Sequence, residues 1–278
     1  MESELIIEPN SSAPAGASIV WFAEVPASID SDVLAQLESV LGEEEVRRYR
    51  SFQFAEDRQL YLAAHAFLRT CLSRYAKVAP EDWRFECSEF GRPEIAADQP
   101  HAGGIRFNLS HTRGLVACVI TQDRKVGIDV ERLGRGVNQR LIASRYFTSQ
   151  ESEDIFSCPD EQRSDRFFEY WTLKEAFVKA RGGGLTIPLD EFSFDQSADG
   201  SWCVNIRNIL DTSEAWQFFC LRPTIDHVLS VAVHVPDHRT HDLDVNRMPL
   251  DYECLLRRVE ICECGRHSPI DECLFLGE

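Results

Sequence analysis

The sequence predicts an α+β protein of two similar-sized subdomains, and three observations predict it. Two strong amphipathic helical stretches stand far apart, at 56–76 and 165–181. Short strand candidates gather around each of them. The first group gives way to the second near residue 126. Each half thus offers helices plus a few antiparallel strands. A chain of 278 residues is long enough for each half to bury a core of its own.

Residues 1–17 are polar, with Pro, Ser and Gly, and read as a frayed end. Residues 19–25 (IVWFAEV) read as a strand. In 56–76 the residues Leu60, Ala64, Phe67, Leu68, Cys71 and Tyr75 follow a helical stripe, while Arg58, His65 and Arg69 share another face. Residues 80–104 are loop-rich, with a Gly91-Arg92-Pro93 turn. Strands are expected at 105–109, 115–120 and 126–130, the last two joined as a hairpin by TQDRK. Short helices are expected at 139–146 and 148–157. The second long helix, 165–181, stops at Gly182-Gly183-Gly184. Strands follow at 191–194, 202–206, 216–222 and 228–235. This divides the chain into an N-terminal subdomain (1–126), a C-terminal subdomain (127–236) and a Cys-rich tail (237–278).

Apolar content of 44% and charged content of 27% are ordinary for a globular protein. No apolar run is long enough for a membrane span, and no secretory signal opens the chain, so the expected location is the cytoplasm. A net charge of −17 argues against a general nucleic-acid binder. An anionic ligand would need a local patch, and Arg47, Arg48, Arg50, Arg58, Arg69 and Arg74 offer one. Cys71, Cys118, Cys203 and Cys220 lie in apolar segments and read as reduced core thiols. Cys254, Cys262, Cys264, His267 and Cys273 crowd the tail, but C-x-C with uneven spacing fits a zinc frame poorly. Free thiols are the preferred reading there.

Four patterns could carry chemistry. In Gly127-Ile128-Asp129-Val130-Glu131, a strand would place Asp129 and Glu131 side by side. Two such carboxylates repel unless a cation, proton or water intervenes, and hard divalent cations favour these ligands. In Trp171-Thr172-Leu173-Lys174-Glu175-Ala176-Phe177-Val178-Lys179, Glu175 and Lys179 share a helix face within an otherwise apolar helix. In Phe107-Asn108-Leu109-Ser110-His111, Ser110 and His111 could donate to a phosphate. Arg92 and the Arg47-Arg48 pair are candidate phosphate partners. Taken alone, each pattern is also what a solvated strand end, a surface ion pair, a capping turn or a solvated arginine would show. A Ser-His-Asp hydrolase is disfavoured, because adjacent Ser and His face opposite ways on a strand and no G-x-S-x-G elbow exists.

The order and spacing of F-N-L-S-H, G-I-D-V-E and W-T-L-K-E-A-F-V-K-A-R-G-G-G-L resemble the 4'-phosphopantetheinyl transferase superfamily, over about residues 19–236. The length resembles its long, monomeric branch, which primes peptide and polyketide synthetases. The resemblance implies two similar subdomains in a pseudo-twofold arrangement with the active site between them. It implies transfer of the 4'-phosphopantetheinyl arm of coenzyme A to a serine of an acyl or peptidyl carrier protein, with Mg²⁺. Asp129 and Glu175 would bind the ion, Glu131 would complete the set, and Glu175 is also a candidate base for the serine. Lys179 and His111 would hold the coenzyme A phosphates, with Ser110 and Lys174 nearby. Arg92 stands where a G-K-P lysine is usual, and Arg48 where a basic residue faces the nucleotide end. The tail after Pro236 has no counterpart in the family pattern. An idle coenzyme A-binding module is a rival reading, but it has no need of Asp129, Glu131, Glu175 and Lys179 together. A pyrophosphatase using water as nucleophile is another.

Overall fold

The computed structural model of the chain describes residues 17–134, 136–183, 188–206, 215–236 and 242–248. The first half contains β1 (Ala17–Glu24), α1 (Ser31–Ser39), α2 (Glu43–Ser51), α3 (Ala55–Leu72), β2 (Phe85–Cys87), β3 (Pro93–Ile95), β4 (Ile105–Thr112) and β5 (Leu115–Gln122). The second contains β6 (Val126–Arg132), α4 (Gln139–Tyr146), α5 (Ser149–Ser157), α6 (Asp160–Arg181), β7 (Phe192–Gln196), β8 (Trp202–Ile206), β9 (Trp216–Thr224) and β10 (His227–His234). A last strand, β11 (Asp242–Arg247), returns to the first half. The fold class is α+β.

The strands form a four-stranded sheet, β11-β1-β5-β4, a five-stranded sheet, β6-β10-β9-β8-β7, and the small β2-β3 hairpin. In β5, Val116, Cys118 and Ile120 pack toward α3, while Leu115, Ala117 and Val119 pack toward the second sheet. A strand covered on both faces needs a continuous apolar run, which LVACVI supplies. Val126, Ile128, Val130, Leu229, Val231 and Val233 meet it from the other side. The outer face of the second sheet is covered by α6 through Phe168, Leu173, Ala176, Phe177 and Ala180. Each fully buried Leu or Phe contributes roughly 1.5–3 kcal/mol of transfer free energy. The site therefore sits where two well-packed layers meet.

Several expectations are corrected. β5 and β6 are not a hairpin: β5 is already flanked by β1 and β4, so the chain crosses to the second sheet, where β6 pairs with β10. Helix α6 begins at Asp160, five residues early, because its polar first turn (DEQR) carries no apolar period. It ends at Gly182, whose φ of 72° is the left-handed cap expected of glycine. The 80–104 stretch holds β2 and β3 as well as loops. Part of the tail is structural, since β11 pairs in parallel with β1 and Met248 is fully buried. The tail thiols and His267 lie outside the described residues. Cys71 and Cys118 are buried, but Cys203 is exposed on β8.

Candidate active site

Strand β6 carries the first two functional carboxylates. Asp129 and Glu131 are buried on it, and Asp129 lies opposite Ser230 of β10. Helix α6 crosses directly over this strand. A Cβ at Gly127 would stand 2.1 Å from the Ala176 carbonyl oxygen and 2.4 Å from the Ala180 nitrogen. The close crossing therefore requires glycine on the strand, and it brings Glu175 and Lys179 down onto Asp129.

The Lys179 ammonium donates to Asp129 Oδ1 at 2.6 Å, to Ser110 Oγ at 3.1 Å and to Ile128 O at 3.1 Å. Three donors are all an ammonium has. Asp129 Oδ2 is buried without a hydrogen-bond partner. Burial pushes the Glu175 carboxyl pKa up, and the negative charge of Asp129 pushes it further, against the opposing pull of Lys179. Two facing carboxylates, one with an orphaned buried oxygen, form a hard oxygen donor set that fits a small divalent cation. Glu131 follows two positions along the strand. Among the described residues no three His, Cys, Asp or Glu side chains gather into one ligand group, so Glu131 is not drawn into a compact triad with Asp129 and Glu175.

The other candidates divide. Ser110 is buried, and its hydroxyl is spent: it donates to Asp129 Oδ1 at 3.1 Å and accepts from Lys179 and from Val130 N at 3.2 Å. It holds the carboxylate and the ammonium in place and has no valence left for a phosphate. Next to it, His111 is exposed on the opposite face of β4. The surrounding protein desolvates its imidazole, and His65 and Lys179 disfavour its cation, lowering its pKa to about 4. Arg48 lies on the exposed helix α2, its guanidinium 5.6 Å from the centre of the Phe52 ring. A hollow of about 320 Å³ among α1, α2 and α3 includes Arg50, Arg58 and Glu38 but not Asp129, Glu131 or Glu175.

Lys174 is not in the site. It is completely buried, donates to Leu189 O at 2.7 Å and Phe192 O at 2.6 Å, and pairs with Glu151 at 2.9 Å. Burial lowers its pKa and Glu151 opposes that. All three of its donors serve the core, so it holds no phosphate. Arg92 is likewise turned inward, to the carbonyls of Lys179, Phe107 and Val126 at 2.5, 2.8 and 3.0 Å. The arginine patch is divided too. Arg69 is buried against Glu45 at 2.7 Å, Arg50 pairs with Glu38, and Arg74 lies 5.0 Å from the centre of the Trp21 ring.

Sequence reasoning assigned no such role to Asn108, His65, Glu45 or Glu151. Asn108 Oδ1 accepts from Ile128 N at 2.8 Å. His65 Nδ1 is 2.7 Å from Glu45 Oε1 and stacks on Tyr61 at 4.0 Å. Burial pushes the Glu45 carboxyl up, but the His65 hydrogen bond and the Arg69 charge overcome it and hold it below its ordinary value. Glu151 closes a capping box with Thr148, a pattern visible in the sequence as T-x-x-E.

A family model for the 4'-phosphopantetheinyl transferase superfamily matches residues 125–232, and a model of a 4'-phosphopantetheinyl transferase N-terminal region matches 29–123. The 4'-phosphopantetheinyl transferase HetI of Nostoc sp. is 34% identical over 209 residues, covering 75% of this chain and 85% of that protein. Sfp of Bacillus subtilis is 32% identical over 168 residues, covering 60% and 72%. The L-aminoadipate-semialdehyde dehydrogenase-phosphopantetheinyl transferase of Rattus norvegicus is 31% identical over 212 residues, covering 71% and 68%. With both halves matched and Asp129 of β6 brought against Glu175 of α6, this chain belongs to the 4'-phosphopantetheinyl transferase superfamily and is one of its transferases.

Proposed function

We propose that the protein transfers the 4'-phosphopantetheinyl arm of coenzyme A to a serine of an apo acyl or peptidyl carrier protein, with Asp129, Glu175 and Lys179 at the centre of the reaction. The observation that carries this reading is the buried, unpartnered Asp129 Oδ2 facing Glu175, with Lys179 on the other oxygen of Asp129. Asp129 and Glu175 would hold Mg²⁺, with Glu131 two positions along β6. When bound, the ion supplies Lewis-acid neutralisation of the pyrophosphate charge.

The chain's own residues do the rest. The serine Oγ attacks the phosphorus that bears the pantetheine arm. The bond from that phosphorus to the nucleotide-side oxygen breaks, and 3',5'-ADP leaves. Such transfers depend on positioning and on offsetting oxygen charge. Glu175 takes the serine proton, because a carboxylate with a raised pKa is a stronger base than an ordinary one. Lys179, whose three N–H groups are on Asp129, Ser110 and Ile128, offsets charge growing on the leaving phosphate through space rather than by a hydrogen bond. His111, neutral at physiological pH, is a hydrogen-bond donor to a phosphate oxygen. Arg48, exposed on α2, is the proposed cation for the nucleotide end.

Residues 1–126 supply Ser110 and His111, and residues 127–236 supply the carboxylates and Lys179, so one chain contributes both walls. A cytoplasmic monomer is sufficient for the chemistry. The test is intact-protein mass spectrometry of apo carrier incubated with enzyme, coenzyme A and Mg²⁺. A gain of about 340 Da, one transferred arm, abolished by EDTA, is the expected result. Phosphopantetheine released without carrier would point to a pyrophosphatase instead. No gain on fatty-acid, polyketide and peptide-synthetase carriers would overturn the proposal.

A further inference from the structure

Strand β6 is the edge of its sheet, with β10 on one side only. An edge strand leaves alternate N–H and C=O groups pointing outward, and buried ones are costly unless paired. On β6 four successive outward groups each meet a side chain. Val126 O accepts from Arg92 at 3.0 Å, and Ile128 N donates to Asn108 at 2.8 Å. Ile128 O accepts from Lys179 at 3.1 Å, and Val130 N donates to Ser110 at 3.2 Å. Thus β4 lies against β6 with side chains standing in for a backbone ladder, and Asp129 is held in the middle of that sealed edge.

Arg92 has a special place in this set. Its guanidinium reaches three elements at once: Phe107 O on β4, Val126 O on β6 and Lys179 O in the last turn of α6. A cation among the last carbonyls of a helix is favourably placed. The contact falls at the crossing where Gly127 lets α6 touch β6. Three of the five guanidinium N–H groups are therefore on main-chain oxygens. The Nε is buried and has no partner.

We propose that Arg92 is a positioning residue of the transfer reaction: by gripping Val126 O, Lys179 O and Phe107 O it fixes the crossing of β6 and α6, and with it the placement of Asp129 against Glu175 and Lys179. This differs from holding a phosphate of coenzyme A, and it rests on the transferase reading above. A misplacement of catalytic groups by a fraction of an ångström lowers turnover, while substrate binding through other residues persists.

The experiment compares wild type with Arg92→Met and Arg92→Lys. It measures kcat and KM for coenzyme A on a saturating apo carrier, calorimetric Kd for 3',5'-ADP, and Tm. In Arg92→Met, kcat falls about tenfold or more well below Tm, while KM and Kd stay within about twofold. Arg92→Lys recovers part of kcat, since an ammonium reaches some but not all of the three carbonyls, and it carries the test if the Met variant does not fold. A Kd for 3',5'-ADP raised about tenfold with kcat intact would make Arg92 a phosphate ligand and overturn the proposal. A lowered Tm with unchanged kcat would make it a purely structural residue and overturn it equally. Inactive wild type would instead sink the transferase reading, so the two failures are distinguishable.

Discussion

Glu175 makes no hydrogen bond among the described residues, is half-buried, and faces the charge of Asp129. A carboxyl whose folded pKa is raised above its unfolded value prefers the protonated form when folded. Its stabilising contribution is therefore present at low pH and is lost as pH rises through the folded pKa. Glu175→Gln removes that loss. The variant has a higher Tm than wild type at pH 7.5, and the advantage shrinks as pH falls into the ordinary carboxyl range. Transfer activity is abolished throughout. Thermal shift across pH checks the first part, and a Tm difference that does not depend on pH would overturn the raised pKa of Glu175. Lys174, one position earlier, gives the opposite expectation. Lys174→Met leaves Glu151 buried without its cation, a change that costs about 3 kcal/mol by the lower bound for broken buried pairs. Thr148 and Phe194 N still hydrogen-bond Glu151, which keeps the cost at that end. Urea unfolding measures the loss, and KM for coenzyme A is unchanged. The sequence reading set Lys174 beside the phosphates, and its core position went unread, because a helix this apolar nearly all round does not state which side its lysine takes. The inward turn of Arg92 was not legible, because its partners are main-chain oxygens at three remote positions.

At the scale of elements, the crossing of β6 and α6 decides the geometry of the site. Both elements were readable, one from a five-residue apolar-acidic strand and the other from a helix with a glycine stop. Their contact distance was not readable, since nothing in a single G-I-D-V-E states what lies above the glycine. The structure supplies it: backbone atoms of Ala176 and Ala180 occupy the position of a Gly127 side chain. Backbone cannot rotate away as a side chain can, so Gly127→Ala forces strand and helix apart. Overpacking of this kind costs ~1–3 kcal/mol. The larger consequence is catalytic, because the 2.6 Å contact between Lys179 and Asp129 depends on the same separation. Gly127→Ala loses more than about tenfold in kcat at a temperature where it is fully folded. Activity equal to wild type in the folded variant would show that the crossing distance does not set the reaction. Short helices such as α1 and α2 escaped the sequence reading for a related reason: α2 has no buried residue and so prints no apolar stripe.

Across the whole molecule, the chain returns to its first half after completing the second. Along β4 and β6 the halves meet through side chains on a backbone edge. At the far side of the first sheet, β11 adds in parallel to β1, register running from Ala17 opposite Asp242 to Phe22 opposite Arg247. Parallel pairing with a strand at the opposite end of the sequence leaves no local signal, which is why the segment read only as a charged tail. Three interactions hold it. Met248 is fully buried in the first-half core, its N–H donates to Phe22 O at 2.8 Å, and Arg247 pairs with Glu24. Removing a buried methionine side chain alone costs ~2–5 kcal/mol, and β1 would also regain an unpaired edge, which invites association between chains. A chain ending at Pro236 is therefore less stable than one ending at Met248, and it associates as concentration rises while the longer one does so less. Denaturation and light scattering on the two truncated chains measure the difference, and the comparison isolates β11 from everything that follows it. Equal stability would mean that β11 is an ornament on the sheet. The expected gap would mean that the chain beyond the family pattern closes the half that presents Ser110 and His111 to the site.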